Sequence, residues 1–244
     1  MQINTFPITL KESYMISPKV KHFIFTCEVE PHFNYLPGQF ITIHFDHQGK
    51  SLKRSYSIAN VPKKDNQIEF AAGYFANGPG TELLFNLKPG DTIQTSGPYG
   101  RLILKGDLPG RFILVATSTG ITPYRAMLQE IAMLMEQHPE LEVVILQGVQ
   151  RREEILYGQE FLDFSQKYPK FSFRPYLSRQ PAHDLTASEY SGYVQHAFPT
   201  LNLNPERDVV YLCGNPGMID ESFNLLKERG FAMQQIIREK YISR

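Results

Sequence analysis

The sequence predicts two modules in series, an antiparallel β-barrel over residues 1–105 and a parallel α/β domain over residues 106–244. Three observations predict this. The first hundred residues are short β-rich runs punctuated by Pro-Gly and Asn-Gly turns, the signature of an antiparallel sheet. From Arg111 the rhythm changes to strands alternating with helices, which argues for a parallel sheet with helices on both faces. Gly106, Pro109 and Gly110 cluster within the stretch Leu104 to Gly110, where a boundary belongs.

In the first module the expected strands are Lys21 to Val29, Gln39 to Phe45, Ser55 to Asn60, Gln67 to Tyr74 and Asp91 to Ser96. One short helix, near Thr81 to Leu87, follows Gly78-Pro79-Gly80; Thr81 is placed to cap it, and its first-turn amides could grip a phosphate. In the second module the expected strands are Phe112 to Ala116, Glu142 to Gly148, Phe171 to Leu177 and Val209 to Leu212. The helices are Thr122 to Gln137, opened by Pro123, then Gln159 to Tyr168, and one opened by Pro216. In such a sheet, ligands collect beyond the carboxyl ends of the strands.

Composition narrows the function. Lys+Arg and Asp+Glu both total 25, so the net charge is zero and a nucleic-acid binder is disfavoured. Residues 1–105 carry 11 basic and 8 acidic side chains. That mild surplus suits an acidic electron-transfer protein, and random scatter of solvated charges explains it equally. Two cysteines, Cys27 and Cys213, are too few for a disulfide framework, and no N-terminal run resembles a signal peptide, so the cytoplasm is the default. No apolar run approaches the ~18 residues of a membrane span. A plant-type [2Fe-2S] cluster needs four thiolates, which excludes one within this chain. The histidines show no metal-ligand spacing, His44 and His47 being the closest pair, so no metal is expected.

The chemistry begins at Arg54-Ser55-Tyr56-Ser57. Arg54 offers a fork of donors that matches a diphosphate, Tyr56 a flat ring for an isoalloxazine face, and Ser57 a hydrogen bond to a ring heteroatom. In a regular strand Arg54 and Tyr56 share one face and Ser57 takes the other, so one ligand reaches all three only by wrapping the strand edge, as a bent FAD could. Taken alone, the run also fits an ordinary strand with an exposed Arg. Four backbone-exposing loops follow: Gly78-Pro79-Gly80-Thr81, Gly97-Pro98-Tyr99-Gly100, Thr117 to Pro123, and Cys213 to Met218. At Thr119-Gly120-Ile121-Thr122-Pro123 a strand runs into a helix, Gly120 permits close approach to the backbone, and the helix amides suit a dinucleotide pyrophosphate. A plain capped helix is the competing reading. Cys213-Gly214-Asn215-Pro216 repeats the device.

With Glu239 and Tyr241 near the C-terminus, this order of stations resembles the ferredoxin-NADP reductase superfamily across nearly the whole chain. The resemblance implies an FAD-binding barrel followed by a Rossmann-like NAD(P)-binding domain, in a protein of monomer size. Arg54 would pair with the FAD diphosphate alongside the Gly80 and Thr81 amides, Tyr56 would pack on the flavin with Ser55 beside it, and Ser57 would lie next to the hydride-accepting nitrogen. Thr119, Gly120, Thr122, Pro123 and Gly214 would hold the NAD(P) pyrophosphate, and Cys213 would position the nicotinamide, with Glu239 also catalytic. Ser178 and Arg179 would surround a 2′-phosphate, with Arg151 and Arg152 adding charge, so NADPH is favoured over NADH. Against this, Tyr193 stands where some NADP-preferring bacterial relatives have Arg. Tyr241 would cover the flavin or its adenine, unless the tail is merely frayed. The implied activity moves hydride between NAD(P)H and FAD and single electrons to or from ferredoxin or flavodoxin. The alternatives are a flavin reductase or oxygenase reductase component, and a non-catalytic electron-relay or regulatory subunit.

Overall fold

Period-two burial organises the first hundred residues. β1 (Phe6–Ser17), β2 (Val20–Thr26), β3 (Phe40–His47), β4 (Lys50–Ser57), β5 (Gln67–Gly73) and β6 (Thr92–Tyr99) form an antiparallel sheet in the order β4-β3-β6-β1-β2-β5. A bridge between Ile58 and Phe70 joins the chain beyond β4 to β5 and closes the sheet into a barrel. Ile8, Leu10, Phe23, Phe25, Ile41, Ile43, Ile68 and Phe70 fill it, all essentially inaccessible to solvent. The computed structural model describes residues 4–28, 33–62, 66–106 and 108–241. The expected strand end at Val29, Asp107 in the expected boundary, and Ile242 to Arg244 lie outside them.

The barrel and parallel α/β sheet are as expected, but three strands are additions. β1 was not foreseen because its pairing with β2 shifts register between Leu10 and Glu12, which breaks the alternation after Ile8 and Leu10. The helix α1 (Pro79–Asn86) begins two residues before the expected Thr81, with Gly78 at its N-cap and Pro79 fixing the first turn.

In the second half the elements are β7 (Arg111–Thr117), a 3₁₀ turn at Ser118–Ile121, α2 (Thr122–Gln137), β8 (Glu142–Val149), α3 (Gly158–Lys167), β9 (Phe171–Leu177), β10 (Tyr190–Ser191), β11 (Asp208–Gly214), α4 (Pro216–Glu228) and β12 (Ile236–Lys240). Every pairing is parallel, in the order β10-β9-β8-β7-β11-β12. β7 is buried along nearly its whole length, as a central parallel strand must be. The chain builds outward from β7 through β8, β9 and β10, then returns to β11 on the other flank. That reversal places a topological switch point at the carboxyl ends of β7 and β11, at Thr117 and Gly214, where such sheets collect ligands.

By contacts the chain divides into two compact units, Met1–Leu104 with Thr122–Met127 and Lys105–Ile121 with Leu128–Arg244. The start of α2 therefore groups with the barrel. Arg125 donates from Nη1 to Glu69 Oε2 at 2.9 Å and to the Ala59 carbonyl at 3.2 Å, and His22 Nε2 lies 3.2 Å from the same carboxylate oxygen. Burial alone would raise the Glu69 pKa, but hydrogen bonds from His22 and Arg125, with the Arg125 charge, overcome it and hold the carboxyl at about 2. A depressed carboxyl contributes stability that is present above its unfolded value near 4.5 and lost as pH falls toward about 2. Unfolding midpoints of Glu69→Gln and the parent, measured across that window, should converge as pH falls; a constant gap would mean that Glu69 is not ionised in the fold.

Candidate active site

In the barrel, β4 presents Arg54 and Tyr56 beside Ile43 and Ile41 of β3, and sets Ser55 and Ser57 on the opposite face beside Thr42 and Phe40. The Ser55 and Thr42 hydroxyls lie 2.9 Å apart, and Ser57 is buried. α1 brings Gly80 onto the Arg54/Tyr56 face. A Cβ at Gly80 would meet Arg54 Cγ at 2.8 Å and Tyr56 Oη at 3.4 Å, so a side chain there would have to displace Arg54. The amides of α1's first turn receive no side-chain cap, so an arginine and a helix amide end lie together. That donor set fits an FAD diphosphate.

One expectation needs correction. Thr81 is not the cap; its hydroxyl lies 2.9 Å from both the Phe75 and Gly78 carbonyls, to which it donates, so its proton is committed to the protein. Tyr56 is stacked within the barrel's own aromatic cluster. Phe70 stacks on one face at 4.9 Å between centroids and 24° between planes, leaving a flavin only the opposite face. Burial pushes the Tyr56 phenol up to about 12, against the opposing charge of Arg54, so it remains a hydrogen-bond donor at neutral pH.

At the switch point of the second unit two glycines pack closely against their neighbours. A Cβ at Gly120 would lie 2.3 Å from the Cys213 carbonyl oxygen, and one at Gly214, where φ is +120°, would lie 2.4 Å from Thr117 Oγ1. The close approach that Gly120 permits is thus made by the Cys213-Gly214 backbone. Thr117 Oγ1 further accepts from the Asn215 amide at 2.8 Å. Thr119 belongs to the 3₁₀ turn, which runs into α2 at Thr122 and Pro123 without a side-chain cap. The Thr122 hydroxyl is buried without a hydrogen-bond partner. An uncapped amide end with an orphaned hydroxyl fits the NAD(P) pyrophosphate. α4 differs, because Asn215 Oδ1 accepts from the Gly217 and Met218 amides at 2.8 and 3.2 Å, and these first-turn donors are already used. The device at Cys213 to Pro216 therefore does not repeat the one at Thr119 to Pro123.

Cys213 is fully buried and pairs in register with Glu239 of β12, and the Tyr241 amide donates to the Gly214 carbonyl at 2.8 Å. Burial pushes the Cys213 thiol well above its ordinary value and the Glu239 carboxylate adds to this, while a hydrogen bond with Tyr241 opposes. A thiol held protonated is not a nucleophile.

At the ends of β8 and β9, the Ser178 amide donates to the Val149 carbonyl at 3.0 Å and the Arg179 amide to the Gln150 carbonyl at 2.8 Å, leaving the Arg179 side chain exposed next to the Gln150-Arg151 segment. Arg152 is elsewhere engaged. Its Nε and Nη2 donate to the two Glu189 carboxylate oxygens at 2.6 and 2.7 Å. Tyr193 is exposed and packs edge-on against His196. Sequence reasoning missed Glu189, although Thr186-Ala187-Ser188-Glu189 carries the Thr-x-x-Glu signature of a capped turn, and the Thr186 amide does donate to Glu189 Oε2 at 2.9 Å.

Residues 7–103 match the oxidoreductase FAD-binding domain family and residues 114–222 the oxidoreductase NAD-binding domain family. A ferredoxin-NADP reductase of Azotobacter vinelandii is 31% identical over 226 residues, covering 87% of this chain and 85% of that protein. The chain belongs to the ferredoxin-NADP reductase superfamily. As a member it is an FAD- and NAD(P)-binding oxidoreductase. The reductase component DmpP of phenol 2-monooxygenase from Pseudomonas sp. strain CF600 is 26% identical, over 84% of this chain and 57% of that one. A ferredoxin NADP+ reductase from Neisseria gonorrhoeae, solved with bound FAD and NADP, shares the superfamily fold with a TM-score of 0.85 at 22% identity, covering 99% of this chain and 100% of that one. Among the described residues no helix is long and apolar enough to cross a membrane, and no group of three or more His, Cys, Asp or Glu is placed to hold a metal.

Proposed function

We propose that this superfamily member favours NADPH over NADH and exchanges single electrons with a ferredoxin or flavodoxin, using residues 1–105 for FAD and 106–244 for NAD(P). When bound, the flavin supplies the conversion between two-electron and one-electron transfer. Arg54 and the Gly80 and Thr81 amides hold the diphosphate, Tyr56 contributes its free ring face and phenol, and Ser57 donates at the reactive edge. Thr119, Gly120, Thr122 and Pro123 hold the NAD(P) pyrophosphate, while Cys213, Glu239 and Tyr241 form the wall that orients the nicotinamide. The observation that carries NADPH over NADH is the exposed Arg179 anchored beside Gln150 and Arg151.

Arg179→Ala is expected to raise the NADPH KM about 10- to 100-fold, the worth of one charge-assisted bond, with NADH unaffected. Equal effects on both nucleotides would remove Arg179 as a phosphate ligand. The electron partner is tested by comparing ferredoxin, flavodoxin and free flavin as acceptors at equal concentration. Likeness to the phenol monooxygenase component keeps a second reading, reductase of an oxygenase, and a marked preference for an oxygenase component over both small carriers would select it.

A further inference from the structure

Between β9 and β10 the chain makes a loop from Ser178 to Glu189, fixed at both ends by main-chain bonds. Ser178 and Arg179 bond back to Val149 and Gln150, and the Gly192 amide donates to the Leu177 carbonyl at 3.1 Å. Between those ends lie a 3₁₀ turn, Ala182–Asp184, and the Thr186–Glu189 turn, both at the surface. One side chain ties them to the rest of the sheet. Arg152, in the turn after β8, makes a two-pronged ion pair with Glu189 and also donates from Nη2 to the Asp184 carbonyl. Glu189 is only 5% exposed at its side chain despite its place on the loop, and its second oxygen also accepts the Thr186 amide. This is unlike an ordinary surface pair, which holds two long side chains against solvent for little gain. The fork is bidentate, one partner is sheltered, and the carboxylate is further bound by backbone. Glu189 titrates at about 2, held down first by the Arg152 hydrogen bond and then by the Thr186 amide against the cost of burial.

We propose that Arg152 and Glu189 form a latch that fixes the 178–189 loop, and are positioning residues for NADPH selectivity because they hold Ser178 and Arg179 where a 2′-phosphate is read. This rests on the nucleotide reading above and adds the pair that makes it work. Arg152 spends Nε and Nη2 on Glu189 and Asp184, so its part is to hold the loop rather than to read the phosphate. Its effect is preorganisation: a loop already held loses less freedom when the phosphate binds. NADH lacks the group that Arg179 reads, so its binding is indifferent to the latch.

The test is steady-state and stopped-flow kinetics with NADPH and NADH on the full chain loaded with FAD, for Arg152→Ala, Arg152→Lys, Glu189→Gln, the double variant Arg152→Ala/Glu189→Gln, and Arg179→Ala as the reference. Each latch single is expected to lower the NADPH-over-NADH ratio of kcat/KM about 5- to 30-fold through the NADPH KM, leaving kcat and all NADH constants unchanged. The double variant should be no worse than either single, because the two act through one interaction. Arg152→Lys keeps the charge but not the fork, and should recover part of the ratio. Latch singles that leave the ratio unchanged while Arg179→Ala lowers it would overturn the latch and spare the nucleotide reading. An unchanged ratio in Arg179→Ala as well would overturn both. A rise in NADPH selectivity for Glu189→Gln would make Arg152 a phosphate ligand held back by Glu189, which also overturns the latch, as would equal losses with NADPH and NADH.

Discussion

Gly214→Ala is expected to abolish productive NAD(P)H binding while leaving FAD bound. At φ +120° an L side chain is strained by about 1–3 kcal/mol wherever it stands. Here the new Cβ would also fall 2.4 Å from Thr117 Oγ1 and 2.8 Å from the Thr117 carbonyl, inside van der Waals contact with atoms that cannot swing away. Overpacking of that kind adds about 1–3 kcal/mol. The strand tip must move, taking with it Cys213 on one side and Asn215, bound to Thr117 Oγ1, on the other. Displacement of a nucleotide cradle by about 1 Å costs on the order of 100-fold in the rate of the step it orients. Gly120→Ala pushes on the same contact from the opposite side, 2.3 Å from the Cys213 carbonyl oxygen, and should give the same phenotype. Stopped-flow reduction of the bound flavin measures the loss, and flavin absorbance after gel filtration measures retention. NADPH reduction at the parental rate in either variant would show that the carboxyl ends of β7 and β11 are not the nucleotide site.

That contact explains why some of the molecule was legible in the sequence and some was not. α2 and β9 have the expected limits, Thr122–Gln137 and Phe171–Leu177, because local chemistry sets them: Pro123 opens the helix, and an apolar run defines the strand. β12 was not foreseen. Its five residues, Ile236–Lys240, carry an Arg, a Glu and a Lys and read as a polar tail, yet β11 supplies parallel pairing along their whole length. The order of backbone-exposing loops was legible because glycine and proline carry their conformational meaning with them. What each residue then faces was not. Gly120 was expected to admit a ligand and admits the Cys213 backbone, Tyr56 shares its ring with Phe70, Asn215 fills the first amides of α4, and Arg152 gives its fork to Glu189. Each of these is a pairing chosen by the folded chain among several that the side-chain chemistry allows.

Asp208→Ala is expected to be among the most destabilising single changes in the second unit. Asp208 begins β11 and Arg111 begins β7, and the parallel register sets them side by side. Arg111 donates from Nε and Nη2 to the two carboxylate oxygens at 3.0 and 2.6 Å, with side-chain exposures of 8% for Arg111 and 0% for Asp208. The Asn204 amide and Arg207 Nε also donate to Asp208, at 2.8 and 3.0 Å, so its acceptors are well satisfied. Removing the carboxylate leaves a guanidinium buried, with the Asn202 carbonyl at 3.3 Å and Glu142 at 3.9 Å as its remaining company. Breaking a buried pair from one side costs about 3–5 kcal/mol, most of it the penalty of the stranded charge rather than the worth of the pair. The double variant Arg111→Met/Asp208→Leu strands no buried charge, since Arg207, which also loses Asp208, is 38% exposed, and should recover most of the loss. Urea unfolding followed by far-ultraviolet circular dichroism gives both numbers. A double variant as unstable as Asp208→Ala would refute the stranded-charge account and make the four donors around Asp208 the source of the stability.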